Sequence, residues 1–365
     1  INSIERIEIV EGPLSAIYGN NSLGATINLI FKKNQDEKIN ISVQSYLESI
    51  GQYNFNTHIG YKQKDNLFFI SLGRNYFDGW SDTDNFLSFE TSHKADSSRF
   101  QDWKPKEQFF INSRYLYKAG NLTIKPYLDF FSEEVINKGF PRGSFLHYAF
   151  DEHYLTNRFD KGIVIKGPFL NRNIDVLFHH NQYKRIKTKY RKDLTTLAEY
   201  LTEEYDTTSI NFFTHRITCS NIENKKINYQ YGYAINHENI NTLRVIEGDQ
   251  QRTNFSFFYS FDYHLLGADL RAAARYLYSD KNENALTPSV NLKFNLGPVL
   301  TRLSYGHGFR IPSLKEMYFN FIDVNHYIQG NPELKSERSN NIQINLSSHF
   351  LDHHILTFNT FYNRI

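Results

Sequence analysis

Segments of about ten residues recur along this chain in which apolar and polar side chains occupy successive positions. A period of two belongs to a strand whose two faces meet different surroundings. In INISVQSYLE (39–48), Ile39, Ile41, Val43 and Leu47 share one face, and Asn40, Ser42 and Gln44 take the other. NLTIKPYLDF (121–130) sets Leu122, Ile124, Leu128 and Phe130 against Thr123, Lys125 and Asp129, and HILTFNTFY (354–362) aligns Leu356, Phe358 and Tyr362. Fifteen such segments are predicted, near 39–48, 52–62, 66–76, 109–118, 121–131, 157–167, 172–184, 208–220, 226–237, 253–265, 268–279, 287–296, 299–308, 339–349 and 354–363. Helical periodicity is scarce.

The mean hydropathy of −0.54 looks soluble, and no window holds the run of apolar residues a membrane helix needs. A transmembrane β-barrel evades both tests, because each strand alternates lipid-facing apolar residues with polar lumen-facing ones. The connections favour that reading. Long polar stretches are predicted at 77–108, 132–156, 185–207, 238–252 and 309–338, interleaved with tight turns such as 63–65, Ala119-Gly120, Leu266-Gly267 and Gly297-Pro298. Outer-membrane barrels show this asymmetry, with short periplasmic turns and long external loops. A propeller would repeat a shared motif every 40 to 50 residues or so, and none is present. The predicted fold is an all-β transmembrane antiparallel β-barrel.

Composition narrows function. The formal net charge is only +2, which gives no reason to expect nucleic acid. The single cysteine, Cys219, excludes an internal disulfide and a cysteine-based zinc site. HExxH, GxSxG and GxxxxGK[ST] are all absent, so no enzymatic motif is expected. His179-His180 and His353-His354 are adjacent within predicted strands, where neighbours point to opposite faces and chelate poorly.

The opening differs from the rest. IERIEIVEGPLSAIYGNNSLGATINLIFKK (4–33) is glycine-rich, and the chain changes character at Asn34. This stretch resembles the end of the plug domain of TonB-dependent outer-membrane receptors, through Glu5, Arg6, Ile7, Gly12, Pro13, Tyr18, Gly19, Gly24, Ile27, Asn28 and Ile30. Far downstream, GFRIPSLKEMYF (308–319) and GNPELKSERSNN (330–341) are similar to the paired boxes of the same family, through Phe309, Arg310, Pro312, Asn331, Pro332, Leu334 and Glu337. The resemblance implies residues 1–34 as the C-terminal part of a plug and 35–365 as the N-terminal two-thirds of a barrel. About fifteen strands against about 22 in plugged transporters, with no early plug or TonB box, make the chain a fragment on this reading. Glu11 stands where the family usually has arginine, which puts that plug–barrel contact in doubt.

The family binds a scarce nutrient at its outer face and imports it with energy relayed by TonB, doing no covalent chemistry. An iron complex, ferric siderophore or haem, is therefore expected as cargo in the outer membrane of a Gram-negative bacterium, with no resident cofactor. Cobalamin or another nutrient, or a non-energised porin or adhesin barrel, are the alternatives. Haem receptors carry a histidine between the two boxes, and His326 is the only one there; imidazole suits haem iron, and Tyr318, Phe319, Phe321 and Tyr327 are candidate porphyrin neighbours. His93, His147 and His153 lie in other predicted loops and are candidates for a second ligand. Asp78, Asp82 and Asp84 in DGWSDTDN (78–85) supply oxygen of the kind calcium takes, without the EF-hand pattern. KRIKTKYRK (184–192) has six basic residues in nine and is read as an outer loop, suited to lipopolysaccharide phosphates, to an anionic iron chelate, or simply to solvent.

Overall fold

The computed structural model describes residues 4–11, 25–31, 37–82, 99, 101–143, 147–222, 226–265, 267–322, 327–350 and 354–365. Strands β1 (Ile4–Glu11) and β2 (Ala25–Phe31) form an antiparallel pair of their own. A second sheet then begins with β3 (Ile39–Glu48), β4 (Gln52–Gln63), β5 (Asn66–Phe77), β6 (Lys106–Ala119) and β7 (Leu122–Asn137). It continues through β8 (Tyr148–Phe169), β9 (Arg172–Asp193), β10 (Glu199–Ser220), β11 (Ile227–Thr242) and β12 (Asp249–Leu265). Next come β13 (Ala268–Ser279), β14 (Ala285–Leu296) and β15 (Val299–Arg310). A short helix, α1 (Leu314–Tyr318), and a small hairpin of β16 (Asn320–Ile322) and β17 (Tyr327–Gln329) interrupt the sheet. It resumes with β18 (Glu337–Phe350) and β19 (His354–Arg364).

The fifteen strands of this sheet lie in chain order, each antiparallel to its neighbour. Among the described residues β3 pairs only with β4, and β19 only with β18. Among the described residues no helix is long and apolar enough to cross a membrane. The strands are long enough, since about 9–11 tilted residues suffice.

Register sorts the side chains. Phe257, Tyr259, Tyr276, Tyr278, Leu286, Val290, Leu303 and Tyr305 point outward and are exposed. Their alternates Asn254, Ser256, Arg275, Thr287 and Ser289 point inward and are buried. Apolar outside and polar inside reverses the arrangement of a soluble protein and fits a wall between lipid and a polar lumen. Three inward glycines each face an aromatic residue directly across the ladder: Gly73 opposite Phe110, Gly162 opposite Tyr127 and Gly232 opposite Phe258. A Cβ at Gly73 would stand 2.2 Å from the Phe110 ring, and one at Gly162 2.4 Å from the Tyr127 hydroxyl. The rings lie across the bare backbone and cover it.

One end of the sheet carries tight turns, at 64–65, 120–121, 170–171 and 297–298, and the other end carries longer connections. The structure corrects three of the predicted loops. Where 132–156, 185–207 and 238–252 were expected as loops, strands continue, leaving connections of only 138–147, 194–198 and 243–248. Strands β8, β9 and β10 each have 22 residues, about 70 Å of extended chain, so roughly half of each stands clear of the bilayer. Above the membrane both faces meet water, and the hydropathy alternation that marks a strand in lipid disappears. KRIKTKYRK is accordingly part of strand β9, not a loop. The two long connections survive, at 78–105 and 311–336.

Candidate functional site

The protruding β8–β10 segment continues the inward face of the wall. On β9 the residues sharing the face of Asn173, Asp175, Leu177 and His179 are, higher up, Arg185, Lys187, Lys189 and Arg191. Opposite them on β8 stand Thr156, Tyr154, Glu152 and Phe150, with Tyr148 one pair further along, opposite Asp193. Lys187 pairs with Glu152 at 2.6 Å, and the Tyr154 hydroxyl donates to the same carboxylate at 2.7 Å. Lys189 pairs with Glu204 at 2.8 Å, and on the opposite face Lys192 pairs with Glu199 at 2.8 Å. Arg185 and Arg191 have no carboxylate partner among the described residues. Instead Arg185 lies 4.7 Å from the centroid of Tyr154 and Arg191 4.8 Å from that of Tyr148. Arg142 covers Phe150 from the 138–147 connection, at 5.5 Å. The result is an exposed face of guanidinium groups resting on aromatic rings.

The tip is rigid by construction. Asp193 Oδ1 accepts from the backbone N–H and hydroxyl of Thr195 at 2.8 and 2.6 Å and from the Thr196 N–H at 2.9 Å, closing the turn to β10. These donors hold its carboxyl well below the usual range. Leu194 and Ala149 are fully buried beside it.

The sheet's inner face below is polar and cross-linked. Tyr127 and His179 share a hydrogen bond of 2.7 Å, with Asp160 3.7 Å from the other ring nitrogen. Asp160 accepts from Asn181 at 2.7 Å and from Arg158 at 2.6 Å, and Arg114 clasps Asp129 with two bonds of 2.6 Å. His179 faces inward and His180 outward, as expected for adjacent strand positions.

The two sequence boxes meet at one clamp. Arg310 donates to Glu316 at 2.6 and 2.8 Å and also to Glu337, tying the end of β15 to α1 and to the start of β18. Glu316 in turn accepts from the Ser313 N–H at 2.7 Å, completing a capping box. Arg310 first, and then this backbone bond, lower the Glu316 carboxyl to about 2. The Pro312 carbonyl accepts from buried Arg252 at 2.5 Å, and Asn331 Oδ1 closes the Asn331-Pro332 turn by accepting from the Glu333 N–H at 2.9 Å. Phe309 and Ile311 pack on Leu277 and Ala285. These family-motif positions anchor the 311–336 loop, and Leu334 joins them through its N–H to the Asn331 carbonyl at 3.1 Å.

The haem constellation is not assembled by the described residues. His326 lies outside them. Tyr318 packs against the cluster of Ile240, Val245 and Leu314 with Lys281 5.0 Å from its ring centroid, and Arg244 sits 4.2 Å from that of Phe321. Tyr327 is 76% exposed, with its hydroxyl turned to Gln329. His93, His353 and Asp84 also lie outside the described residues, as do Gly12, Pro13, Tyr18, Gly19 and Gly24. Asn28 sits on β2 and donates to Glu8 at 3.2 Å. His153 bonds Glu134 at 3.1 Å, His147 stacks edge-on against Tyr148, and Asp78 accepts from Tyr76 at 3.2 Å. Among the described residues no group of three or more His, Cys, Asp and Glu side chains could hold a metal ion.

An antiparallel meander that is apolar outside, polar inside and extended at one end is the wall of an outer-membrane β-barrel. The chain belongs to the TonB-dependent receptor family: the family described as "TonB dependent receptor-like, beta-barrel" matches residues 17–365. Its place is the outer membrane of a Gram-negative bacterium, and TonB-dependent receptors are transporters, not enzymes. Among solved structures the chain is similar to a mutant of the ferric enterobactin receptor PfeA from Pseudomonas aeruginosa, with 15% identity and a TM-score of 0.72, over 99% of this chain and 58% of that one. It is similar also to the siderophore receptor PirA from Acinetobacter baumannii (13%, TM-score 0.74, 99% and 57%). The FrpB iron transporter from Neisseria meningitidis is a third (14%, TM-score 0.66, 99% and 61%). At such identities the likeness is one of fold, and the chain spans about three-fifths of each neighbour's length. Comparison with curated proteins gives no match.

Proposed function

We propose that this chain is part of a TonB-dependent receptor that imports a ferric siderophore, with residues 1–34 ending the plug and 35–365 forming barrel wall. The observation that carries the cargo is the inward cation–aromatic face of β8 and β9. Arg185 and Arg191 hold positive charge with no carboxylate among the described residues to neutralise it, which favours an anionic ligand, and the rings beside them favour a partly aromatic one. An iron-loaded, negatively charged chelate has both properties. TonB is the partner that supplies energy, and the cargo passes without covalent change. Outward-facing Lys161 and Lys184, also without carboxylate partners among the described residues, suit lipopolysaccharide phosphates at the membrane rim.

The test is equilibrium binding of anionic ferric siderophores to the complete protein in detergent, beside Arg185→Ala/Arg191→Ala. Removing two partly exposed cation contacts is expected to weaken binding about 10- to 30-fold and to flatten its salt dependence. Unchanged affinity and salt slope in the double variant would remove this face from the site.

A further inference from the structure

At the upper ends of β4, β5 and β6, away from the cationic face, lies a cavity of about 360 Å³. Trp80 and Trp103 stand over it. Each donates its backbone N–H to the other's carbonyl, at 3.0 and 2.9 Å, and their ring centroids are 5.2 Å apart. Trp80 is 37% exposed and Trp103 56%, and Ile50, Tyr76 and Phe77 line the same cavity. Beneath the indoles the cavity is lined by the side-chain amides of Gln52, Asn54, Asn75 and Gln108.

These amides are oriented. Gln108 Nε2 donates to Glu133 at 2.6 Å, which leaves Gln108 Oε1 to accept from Asn75 Nδ2 at 3.3 Å. Asn54, paired with Asn75 in the ladder, has its Oδ1 buried with no hydrogen-bond partner among the described residues. A buried acceptor without a donor is costly to leave that way. Among the described residues no carboxylate lines the cavity, and Lys106 is its one charged residue. The site therefore offers aromatic faces above, fixed amides below and an acceptor lacking a donor.

We propose that this cavity binds a hexopyranose ring. The C–H face of a sugar packs on the indole face, whose π cloud attracts the polarised hydrogens. Its hydroxyls supply the donor that Asn54 lacks and pair with the remaining amides. The volume falls near the lower end of small-molecule sites, about 300–1,000 Å³. A neutral polyhydroxylated ring fits better than an anionic chelate, because the lining amides offer acceptors as well as donors. The sugar can belong to a free oligosaccharide or to the core of an outer-leaflet glycolipid. This inference does not rest on the ferric-siderophore reading, since it uses β4–β6 and not β8–β10.

Trp80 and Trp103 are the only tryptophans in this sequence, and the part of the indole fluorescence change that is lost in Trp103→Ala is the part that reports on this cavity. The complete protein in detergent is titrated with maltotriose, with the N-acetylglucosamine trimer and with delipidated lipopolysaccharide core oligosaccharide. The expected result is a saturable fluorescence change with at least one of them, weakened about tenfold by Asn54→Leu. Trp103→Ala is expected to abolish it and Trp103→Phe to retain it in part, while heat-modifiable gel mobility confirms that each variant is folded. Response to the core oligosaccharide alone assigns the site to a glycolipid; response to the trisaccharides assigns it to free sugar. No change with any saccharide, or binding indifferent to Asn54→Leu and Trp103→Ala, overturns the proposal.

Discussion

Arg99 is 1% exposed and Asp151 2%, yet both are charged. Arg99 donates to the two oxygens of Asp151 at 2.6 and 2.9 Å and to the Gly139 carbonyl at 3.2 Å, and the Gly139 N–H donates to Asp151 at 3.1 Å. This pair fastens the long 78–105 connection to the 138–147 connection and to β8. Asp151→Ala leaves a guanidinium buried without its anion, a change that costs about 3–5 kcal/mol when one partner of a buried pair is removed. The barrel wall does not depend on this contact, so the cost appears as local release of the connection. Local opening at residues 99–105 and 138–143 is expected to rise at least about 100-fold, since every 1.4 kcal/mol or so is a factor of ten. Hydrogen exchange by mass spectrometry reads it directly, with peptides from β11 to β14 as the unchanged reference. Replacing both partners, Arg99→Met with Asp151→Leu, is expected to restore most of the protection. A change below tenfold in Asp151→Ala, or an equal loss across β11–β14, would refute the reasoning.

Three further outcomes follow from the same geometry. Glu316 has its carboxyl lowered from 4.5 to about 2, so it contributes stability above 4.5 that is lost as pH falls through that window. Proteolysis within 311–336 should therefore increase across this range in the wild type, and Glu316→Gln should show raised cleavage already at neutral pH. Gly232→Ala places a Cβ 2.1 Å from the Ile217 carbonyl and 2.7 Å from Phe258, and should destabilise the wall by about 1–3 kcal/mol, read as a lower temperature of heat-modifiable mobility. Arg310→Lys keeps the charge and loses the fork that spans Glu316 and Glu337, so the 311–336 loop should gain hydrogen exchange while the strand ladders do not.

The wall was legible in the sequence because lipid and lumen impose opposite demands on alternate residues. Each of the fifteen expected segments corresponds to one strand of the sheet, β3 to β15 with β18 and β19. The upper halves of β8 to β10 were not legible, since water on both faces removes that demand and polar strand reads as loop. The site suffered from the same gap. Read as a loop, KRIKTKYRK is a diffuse basic patch. Read as strand, its odd positions from Arg185 to Arg191 share the parity of Leu177 and His179, and that parity alone places them inward. The two boxes marked the family, but their partnership through Arg310, Glu316 and Glu337 is a tertiary fact. The Arg99–Asp151 pair joins residues 52 apart and leaves no local pattern to read.

The central claim is energised import of an iron chelate, and uptake in living cells tests it most directly. Iron-starved cells carrying the complete receptor as their sole iron-chelate transporter are given radiolabelled iron bound to anionic siderophores, with haemin as a parallel source. The expected result is siderophore-dependent accumulation that stops when TonB is deleted and falls with Arg185→Ala/Arg191→Ala. Accumulation from haemin alone, or uptake that persists without TonB, would contradict the account.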